Sequence, residues 1–322
     1  MSLTANTQLT LVELAKNIAP NGQLHRVAQI FTQTNRMLED IPWFEANDIF
    51  GHKAAQESSE PVGSRRMLND GVPNEDVQTT NLTFGTSMVE TFCTSDCKLV
   101  DASPSPETFR NNRAARFVRG MGKTFQYSLI YDNAALVPGE MTGFAPMMGT
   151  LNTRNILGAG GSGGDTTSVY VVQWGEGKAY CVHPRGSKVG VYHEDLGRKE
   201  VAGKTAGTLM MAYRDHFGVD FGLVVEDPKA IGRYANIELT GTSNTFDEDQ
   251  LIGIMDQMID DWSGAAIYVG RRIMTQMRIA LKNKYNVNFG QMEGLGGVPV
   301  LTFQGVPVRR VDQIKEDETV VS

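Results

Sequence analysis

The chain has 322 residues, of which 41% are hydrophobic and 21% charged, a balance typical of a globular protein with one large core or two smaller ones. Its formal net charge of -7 argues against a dedicated nucleic-acid-binding protein, because such proteins usually carry a basic excess. No stretch approaches the roughly 18 consecutive apolar residues of a membrane span, and residues 1–20 lack the pattern of a secretory signal. We therefore expect a protein that is made and used in a cytoplasm.

Two short amphipathic helices are predicted within residues 1–50. Apolar residues recur at helical spacing on both sides of a break at Pro20-Asn21-Gly22, and Pro42 ends the second helix. The apolar faces of these helices need a partner surface, on the same chain or on another. We interpret this region as an N-terminal arm.

Residues 51–90 look extended but hold too few apolar side chains to bury themselves. Asp70-Gly71 is a strong hairpin signal, and the return limb alternates between apolar and polar residues. One face of that limb is predicted to carry Leu82, Phe84, Met88 and Phe92. Because ordering each backbone residue costs roughly 1–2 kcal/mol, a loop of this length is usually either functional or disordered. A floppy surface excursion and an arm that packs on another subunit both remain open.

A long helix is predicted from Pro106 to about Tyr131. Ser105 can cap it, Pro106 suits its first position, and Glu107 complements the helix dipole. Steps of four and eight residues produce an apolar stripe of Phe109, Phe117, Met121, Phe125 and Leu129. Intervals of three and four produce a basic row of Arg110, Arg113, Arg116, Arg119 and Lys123. The row is either a solvated face or a surface for carboxylates of neighbouring subunits or for nucleic acid.

The remainder of the chain is predicted to be rich in β-strands. The glycine-rich stretch 157–165 is interpreted as a flexible connector. Strands are expected at 168–174, 178–182, 189–192, 221–225, 298–303 and 306–311. Helices are expected to begin at Asp247 and Arg271.

No constellation of residues nominates an active site. Gly-Lys-Thr occurs at 122–124 and 203–205, but Phe117 and Arg198 stand where a phosphate loop needs glycine. The five histidines are scattered, and the three cysteines do not match the spacing of a zinc site. We therefore predict no catalytic residue, no cofactor, no metal and no enzymatic activity.

The order of N-terminal arm, extended loop, long helix and β-rich remainder resembles the major capsid proteins of tailed bacteriophages, which have the Hong Kong 97-type fold. Three local sequences strengthen the resemblance, which covers nearly the whole chain. They are residues 130–133 with 141–147, Arg233-Tyr234-Ala235-Asn236-Ile237, and Phe303-Gln304-Gly305-Val306-Pro307-Val308 before Asp312.

The resemblance implies an α+β capsid fold with a defined domain order. That order is an N-terminal arm at 1–50, an extended loop at 51–90, a spine helix with peripheral domain at 91–150, and a β-rich remainder at 151–322. The remainder would contain the rest of the peripheral domain and the axial domain. In such proteins the extended loop lies across an adjacent subunit. The candidate intersubunit contacts are therefore Lys53, Glu57, Glu60, Arg65, Arg66 and Asp70.

The implied function is self-assembly into pentamers and hexamers of an icosahedral phage head enclosing double-stranded DNA. The protein would be a virion component assembled in the host cytoplasm. Its partners would be copies of itself, a separate scaffolding protein, a portal and a cement protein, with weak nonspecific DNA contact through the basic row and no membrane.

Two alternatives remain open at this point. A nanocompartment shell protein of the same fold would enclose enzymes instead of a genome. A cytosolic β-rich hydrolase with a mobile lid at 51–90 would be a monomer or small oligomer, with a pocket of perturbed titrating groups.

Overall fold

The computed structural model describes residues 37, 40–49, 51–59, 62–76, 78–153, 155–187, 192–258, 262–281, 289–293 and 299–322. The two helices predicted before Pro42 lie outside the described residues, apart from Met37 and Asp40. The chain forms two compact units. The described residues of the first unit lie within Met88–Phe125 and Lys188–Asp220, and those of the second lie within Asn35–Ser87, Gln126–Ser187 and Phe221–Ser322.

Three strands and two helices supply most of the first unit. They are β4 (Ser87–Asp96), β8 (Tyr192–Ala202), β9 (Leu209–Val225), α1 (Cys97–Asp101) and the start of α2 (Pro106–Tyr131). Strand β8 pairs with β9 in antiparallel register from Tyr192 opposite Gly218 to Ala202 opposite Leu209, and β4 also pairs with β9. The unit is therefore built around the long β8–β9 hairpin, the strand β4 and the two helices that follow β4.

The start, the end and the apolar stripe that were predicted for α2 are all confirmed. At the start of the helix, the Phe109 amide donates a hydrogen bond to the Ser105 carbonyl at 3.0 Å. The Ser105 hydroxyl donates a second one to Thr108 Oγ1 at 2.8 Å. Four stripe residues are buried, namely Phe109, Met121, Phe125 and Leu129, and Phe117 is half-buried. Because these side chains lie on one face, burial against the core holds the helix despite its two internal glycines.

The second unit contains a seven-stranded sheet in the order β12-β13-β14-β11-β6-β10-β5. Its strands are β5 (Ile156–Gly158), β6 (Thr166–Gln173), β10 (Ile231–Glu238), β11 (Ala265–Val269), β12 (Phe289–Glu293), β13 (Pro299–Phe303) and β14 (Val306–Arg310). All eight residues of β6 are buried, which fits a central strand covered on both faces.

Two helices bury their apolar faces in the core of this sheet. They are α4 (Glu248–Gln257) and α5 (Arg271–Leu281), and a short α3 (Phe144–Met147) and a 3-10 turn (Pro228–Ala230) also belong to the unit. Ile254 of α4 and Met277 of α5 pack with Val171, Ile267 and Phe303 of the sheet. The Asp247 side chain accepts from the Asp249 amide at 3.1 Å, so the predicted acidic start of α4 acts as an N-cap.

A smaller set of strands belongs to the same unit. β1 (Trp43–Glu45) pairs in parallel with β7 (Ala179–His183), and β7 pairs antiparallel with Gly222–Val225 of β9. A separate hairpin consists of β2 (Gly51–Ser59) and β3 (Gln78–Gly85), with Gly51 opposite Gly85. We call residues 51–85 the arm, as distinct from the N-terminal arm predicted at 1–50. The predicted hairpin is thus present, with its turn at Met67–Asp70 and Asn69 at a φ of 69°.

Two sequence-based expectations are wrong. The glycine-rich stretch is not a free connector, because the Ala159 and Gly161 amides donate hydrogen bonds to the carbonyls of Ala235 and Asn236 in β10. The four apolar residues predicted to share one face of the return limb also do not do so across β3 and β4. Leu82 and Phe84 are half-buried, whereas Met88 and Phe92 are exposed, since the alternation changes phase around Thr86.

Candidate functional site

The base of the arm is fixed by an aromatic and polar contact. The His52 ring meets the Tyr180 ring edge-on with centroids 5.8 Å apart, and His52 Nε2 lies 3.1 Å from the Tyr180 hydroxyl. That hydroxyl donates to Glu226 Oε1 at 2.7 Å. Burial lowers the pKa of His52, and the Glu226 charge offsets part of this effect. The neutral imidazole form of His52 is therefore favoured at the base of the arm.

Lys53 is held by two neighbouring residues of its own chain. Its amide donates to Asn47 Oδ1 at 2.9 Å, and Asn47 Nδ2 donates to the Lys53 carbonyl at 2.7 Å. The ammonium group lies 3.3 Å from Asp48 Oδ2, and both side chains are exposed. An exposed pair of this kind contributes little to stability, and the Lys53 side chain stays largely exposed.

The tip of the arm, residues 62–76, exposes apolar side chains to solvent. The described tip contains no helix or strand, and the exposed apolar residues are Val62 (77%), Met67 (80%), Leu68 (93%) and Val72 (54%). Arg65, Arg66 and Asp70 are exposed beside them. The side chain of Glu57 and all of Glu60 lie outside the described part of the chain. A cluster of exposed apolar residues at the end of a long arm is typical of an interaction surface.

The first unit holds a charged cleft of about 390 Å³ between the start of α2 and the β8–β9 hairpin. Arg110 Nη2 lies 3.0 Å from both Asp195 Oδ2 and Asp215 Oδ1, and His193 Nε2 lies 3.0 Å from the same Asp215 oxygen. The Asp215 side chain is only 9% exposed, so the guanidinium compensates a largely buried carboxylate. The Gly197 amide and the Arg110 guanidinium hold the pKa of Asp195 below its usual range.

Arg110 lines this cleft, whereas the other members of the predicted basic row do not. Arg116 is exposed and Arg113, Arg119 and Lys123 are half-buried. Arg119 Nε donates to the Ala115 carbonyl of its own helix at 3.1 Å. Arg110 is committed to carboxylates of its own chain, whereas Arg116 presents its charge to solvent.

A second polar cluster, which the sequence did not indicate, surrounds His216 in the first unit. His216 Nε2 lies 3.3 Å from Glu90 Oε2, and the Tyr192 hydroxyl donates to Glu90 Oε1 at 2.8 Å. Burial and the nearby Glu90 charge raise the pKa of Asp220, whose Oδ1 is buried without a hydrogen-bond partner among the described residues. Only the strand pairing brings these positions together, so no sequence motif could reveal them.

A buried ion pair joins the segment 311–322 to the rest of the second unit. Arg233 Nη2 lies 3.0 Å from Glu318 Oε2, and both side chains are 4% exposed. Arg233 also donates to the Met148 carbonyl at 2.8 Å, and Glu318 accepts from the hydroxyls of Ser168 and Tyr131. Arg233 lies in one of the segments that carried the resemblance.

Asn236 of the same segment forms two hydrogen bonds with the chain near residue 321. Its Nδ2 donates to the Val321 carbonyl at 2.8 Å, and its Oδ1 accepts from the Val321 amide at 2.9 Å. Asn236 has a φ of 57°, a conformation that asparagine tolerates better than most residues. The segment 233–237 is therefore a docking element for the C-terminal region of the described chain.

The described residues contain no group of three or more histidine, cysteine or acidic side chains placed to hold a metal ion. Within the same part of the chain, no helix is long and apolar enough to cross a membrane. Cys93, Cys97 and Cys181 are unpaired with one another and buried, and burial raises the pKa of Cys93 and Cys181.

Comparison with known proteins gives a family and a fold. The family model described as Major capsid protein GP7 matches residues 19–322. A chain of the cryo-electron microscopy structure of bacteriophage Epsilon15 is 26% identical, with a TM-score of 0.74, and the match covers 100% of this chain and 99% of that one. No match was found among curated protein sequences.

Two weaker likenesses involve other shells. The bacteriophage JBD30 capsid is 10% identical, with a TM-score of 0.47 and coverage of 90% of this chain and 93% of that one. The holo-SrpI encapsulin complex of Synechococcus elongatus PCC 7942 is 11% identical, with a TM-score of 0.43 and coverage of 76% and 96%.

The family match spans most of the chain, and the mixture of helices and sheets is the α+β Hong Kong 97-type fold that the resemblance implied. The chain belongs to the family of major capsid proteins described as Major capsid protein GP7.

Proposed function

We propose that this major capsid protein self-assembles into pentamers and hexamers of an icosahedral phage head that encloses double-stranded DNA. Membership of the family implies that the chain associates with copies of itself and is a component of the virion. The role we propose is geometric rather than catalytic, with assembly in the host cytoplasm.

The observation that carries this proposal is the exposed apolar tip of the arm. Met67 and Leu68 are 80% and 93% exposed, although removing a leucine or methionine side chain from water is worth roughly 1.5–3 kcal/mol. A neighbouring copy would cover these side chains and compensate the cost of ordering the tip. In this proposal Lys53, Glu57, Glu60, Arg65, Arg66 and Asp70 contact that copy.

The domain order that we propose follows from the same assignment. Residues 1–50 form an N-terminal arm, 51–90 an extended loop, 91–150 the spine helix with part of the peripheral domain, and 151–322 the rest with the axial domain. The hairpin pairing of β2 with β3 and the uninterrupted α2 helix support this order.

The proposed partners beyond the chain itself are a scaffolding protein, a portal, a cement protein and the packaged DNA. DNA contact would be weak and nonspecific and would involve Arg113, Arg116, Arg119 and Lys123. Arg110 would contribute least, since two carboxylates of its own chain already compensate its charge. Such contacts would weaken as salt concentration rises, because binding to phosphates releases counterions.

Assembly of an arm-tip variant tests the proposal. Met67→Ser combined with Leu68→Ser should leave the monomer folded, because these side chains contribute nothing to its core, and should abolish closed shells seen by electron microscopy. The matched control is Ile279→Ser on α5, where the side chain is also exposed at 65%. Normal shells from the tip variant would refute the role of the arm.

A further inference from the structure

We propose that His216 forms a proton-dependent clamp between three strands of the first unit. The protonated imidazole bridges β4 and β8 across β9, and loss of the proton weakens this bridge. The inference goes beyond the proposed function and does not depend on the assembly of shells.

The position of His216 on β9 places it between the two neighbouring strands. It stands directly opposite Glu194 of β8, and Glu90 belongs to β4, which also pairs with β9. The His216 side chain is only 16% exposed. Its ring stacks on the Phe92 ring with centroids 4.5 Å apart and meets the Tyr192 ring edge-on at 5.6 Å. The imidazole is therefore held between one carboxylate from each adjacent strand.

Each ring nitrogen of His216 faces a carboxylate oxygen. Nε2 lies 3.3 Å from Glu90 Oε2, and Nδ1 lies 3.9 Å from Glu194 Oε2. A neutral imidazole has a single N–H, so one of its nitrogens would present a lone pair to a carboxylate, whereas the imidazolium carries an N–H on both. Burial alone disfavours the charged ring, but the two flanking carboxylates favour it. The site is thus complementary to the doubly protonated form.

Negative charge predominates around this ring. The carboxyl groups of the cluster are those of Glu90, Glu194 and Asp220, and the cation beside them is Arg214, whose guanidinium carbon lies 4.1 Å from the centre of the Phe92 ring. A hydrogen bond from Tyr192 lowers the pKa of Glu90, and His216 lowers it further, so this carboxylate stays charged. A proton on His216 therefore reduces an excess of negative charge between the strands.

The sign of the pH dependence follows from these contacts. The imidazolium gains its two carboxylate partners only in the folded chain, so its contribution to stability is present at low pH. That contribution is lost as the pH rises through the range in which histidine ordinarily gives up its proton, about pH 5 to 8. The strands β4 and β8 are consequently held to β9 more firmly at the acidic end of this range.

A double-mutant cycle in the full-length chain tests the clamp. Glu90→Gln, His216→Gln and the double variant would be made in an Asp220→Asn background, so that this carboxyl cannot contribute to the pH dependence. Melting temperatures would be measured at about pH 5.5 and about pH 8, on either side of the ordinary histidine titration. We expect the two substitutions to be non-additive by roughly 2 °C at the lower pH and additive at the higher one.

The matched control is the ion pair of Arg272 and Glu316, at 3.1 Å, which contains no histidine. The cycle of Arg272→Gln with Glu316→Gln should give the same coupling at both pH values, because neither group titrates between them. If His216→Gln does not fold, the loss of melting temperature caused by Glu90→Gln alone, in the same background, should be larger at the lower pH. Coupling between Glu90 and His216 that is equal at both pH values, that grows toward the higher pH, or that is absent at both would overturn the clamp.

Discussion

Arg233 and Glu318 lie 85 positions apart in the chain and form an ion pair, with 3.0 Å between Nη2 and Oε2, in which both side chains are buried. The pair joins β10 to the C-terminal segment of the described chain. Removing one member leaves the other charged and buried, which typically costs 3–5 kcal/mol.

Glu318→Gln should therefore lower the free energy of unfolding by about 3 kcal/mol. The control is Glu316→Gln, because Glu316 is 44% exposed and its pair with Arg272 should contribute less than about 1 kcal/mol. Urea titration followed by circular dichroism compares the two. Equal midpoints for both variants would mean that the buried pair does not hold the C-terminal segment.

Two arginines of α2 should respond differently to the same substitution. Arg110→Met deprives Asp215 of its guanidinium partner and should cost about 1–3 kcal/mol. Arg116→Met, on the exposed face, should change stability by less than about 0.5 kcal/mol. Thermal unfolding of both proteins checks this, and a larger loss for Arg116→Met would contradict the arrangement of the cleft.

Two glycines of the stretch 157–165 distinguish a packed segment from a free linker. A Cβ at Gly161 would lie 2.4 Å from the Asn236 carbonyl oxygen, whereas a Cβ at Gly164 would have no atom within 4 Å. Gly161→Ala should destabilise the protein by about 1–3 kcal/mol, because the backbone of β10 cannot easily move away. Gly164→Ala should be close to neutral. Equal effects in chemical denaturation would restore the linker interpretation.

Asp220 should impose a pH dependence on the first unit. Its pKa is raised in the folded state by burial and by Glu90, so the folded protein holds this proton to a higher pH than the unfolded chain. Its contribution to stability is complete below the ordinary value of 3.8 and is lost as the pH rises through the folded-state pKa.

Asp220→Asn should consequently be more stable than the unmodified protein at pH 7, with the difference shrinking as the pH falls toward 3.8. Melting temperatures measured across this range test the sign. A difference that grows toward low pH would contradict the unfavourable burial of Asp220.

Local patterns predicted the helix α2 and the arm, because their signals are short-range. Ser105, Pro106 and the apolar stripe define the helix, and Asp70-Gly71 marks a reversal between two extended limbs. The arm's turn lies slightly earlier than those residues suggest, with Asn69 in the left-handed region.

Long-range pairing explains what the sequence concealed. Strands β10 and β11 were not predicted, and only the last residues of β9 were. The first part of β9 lacks a regular alternation of apolar and polar residues, since Arg214, Asp215 and His216 are consecutive, and it forms a strand through its pairing with β8 and β4. Arg110 looked like one member of a basic row. Asp195 and Asp215, which set it apart, come from strands some hundred residues later.

The most direct measurement is electron microscopy of the purified full-length chain after size-exclusion chromatography, alone and with its proposed scaffolding partner. We expect closed shells or rings of five and six copies, with the arm tip protected from protease only after assembly. A monodisperse monomer under every condition, with the tip already protected, would contradict it.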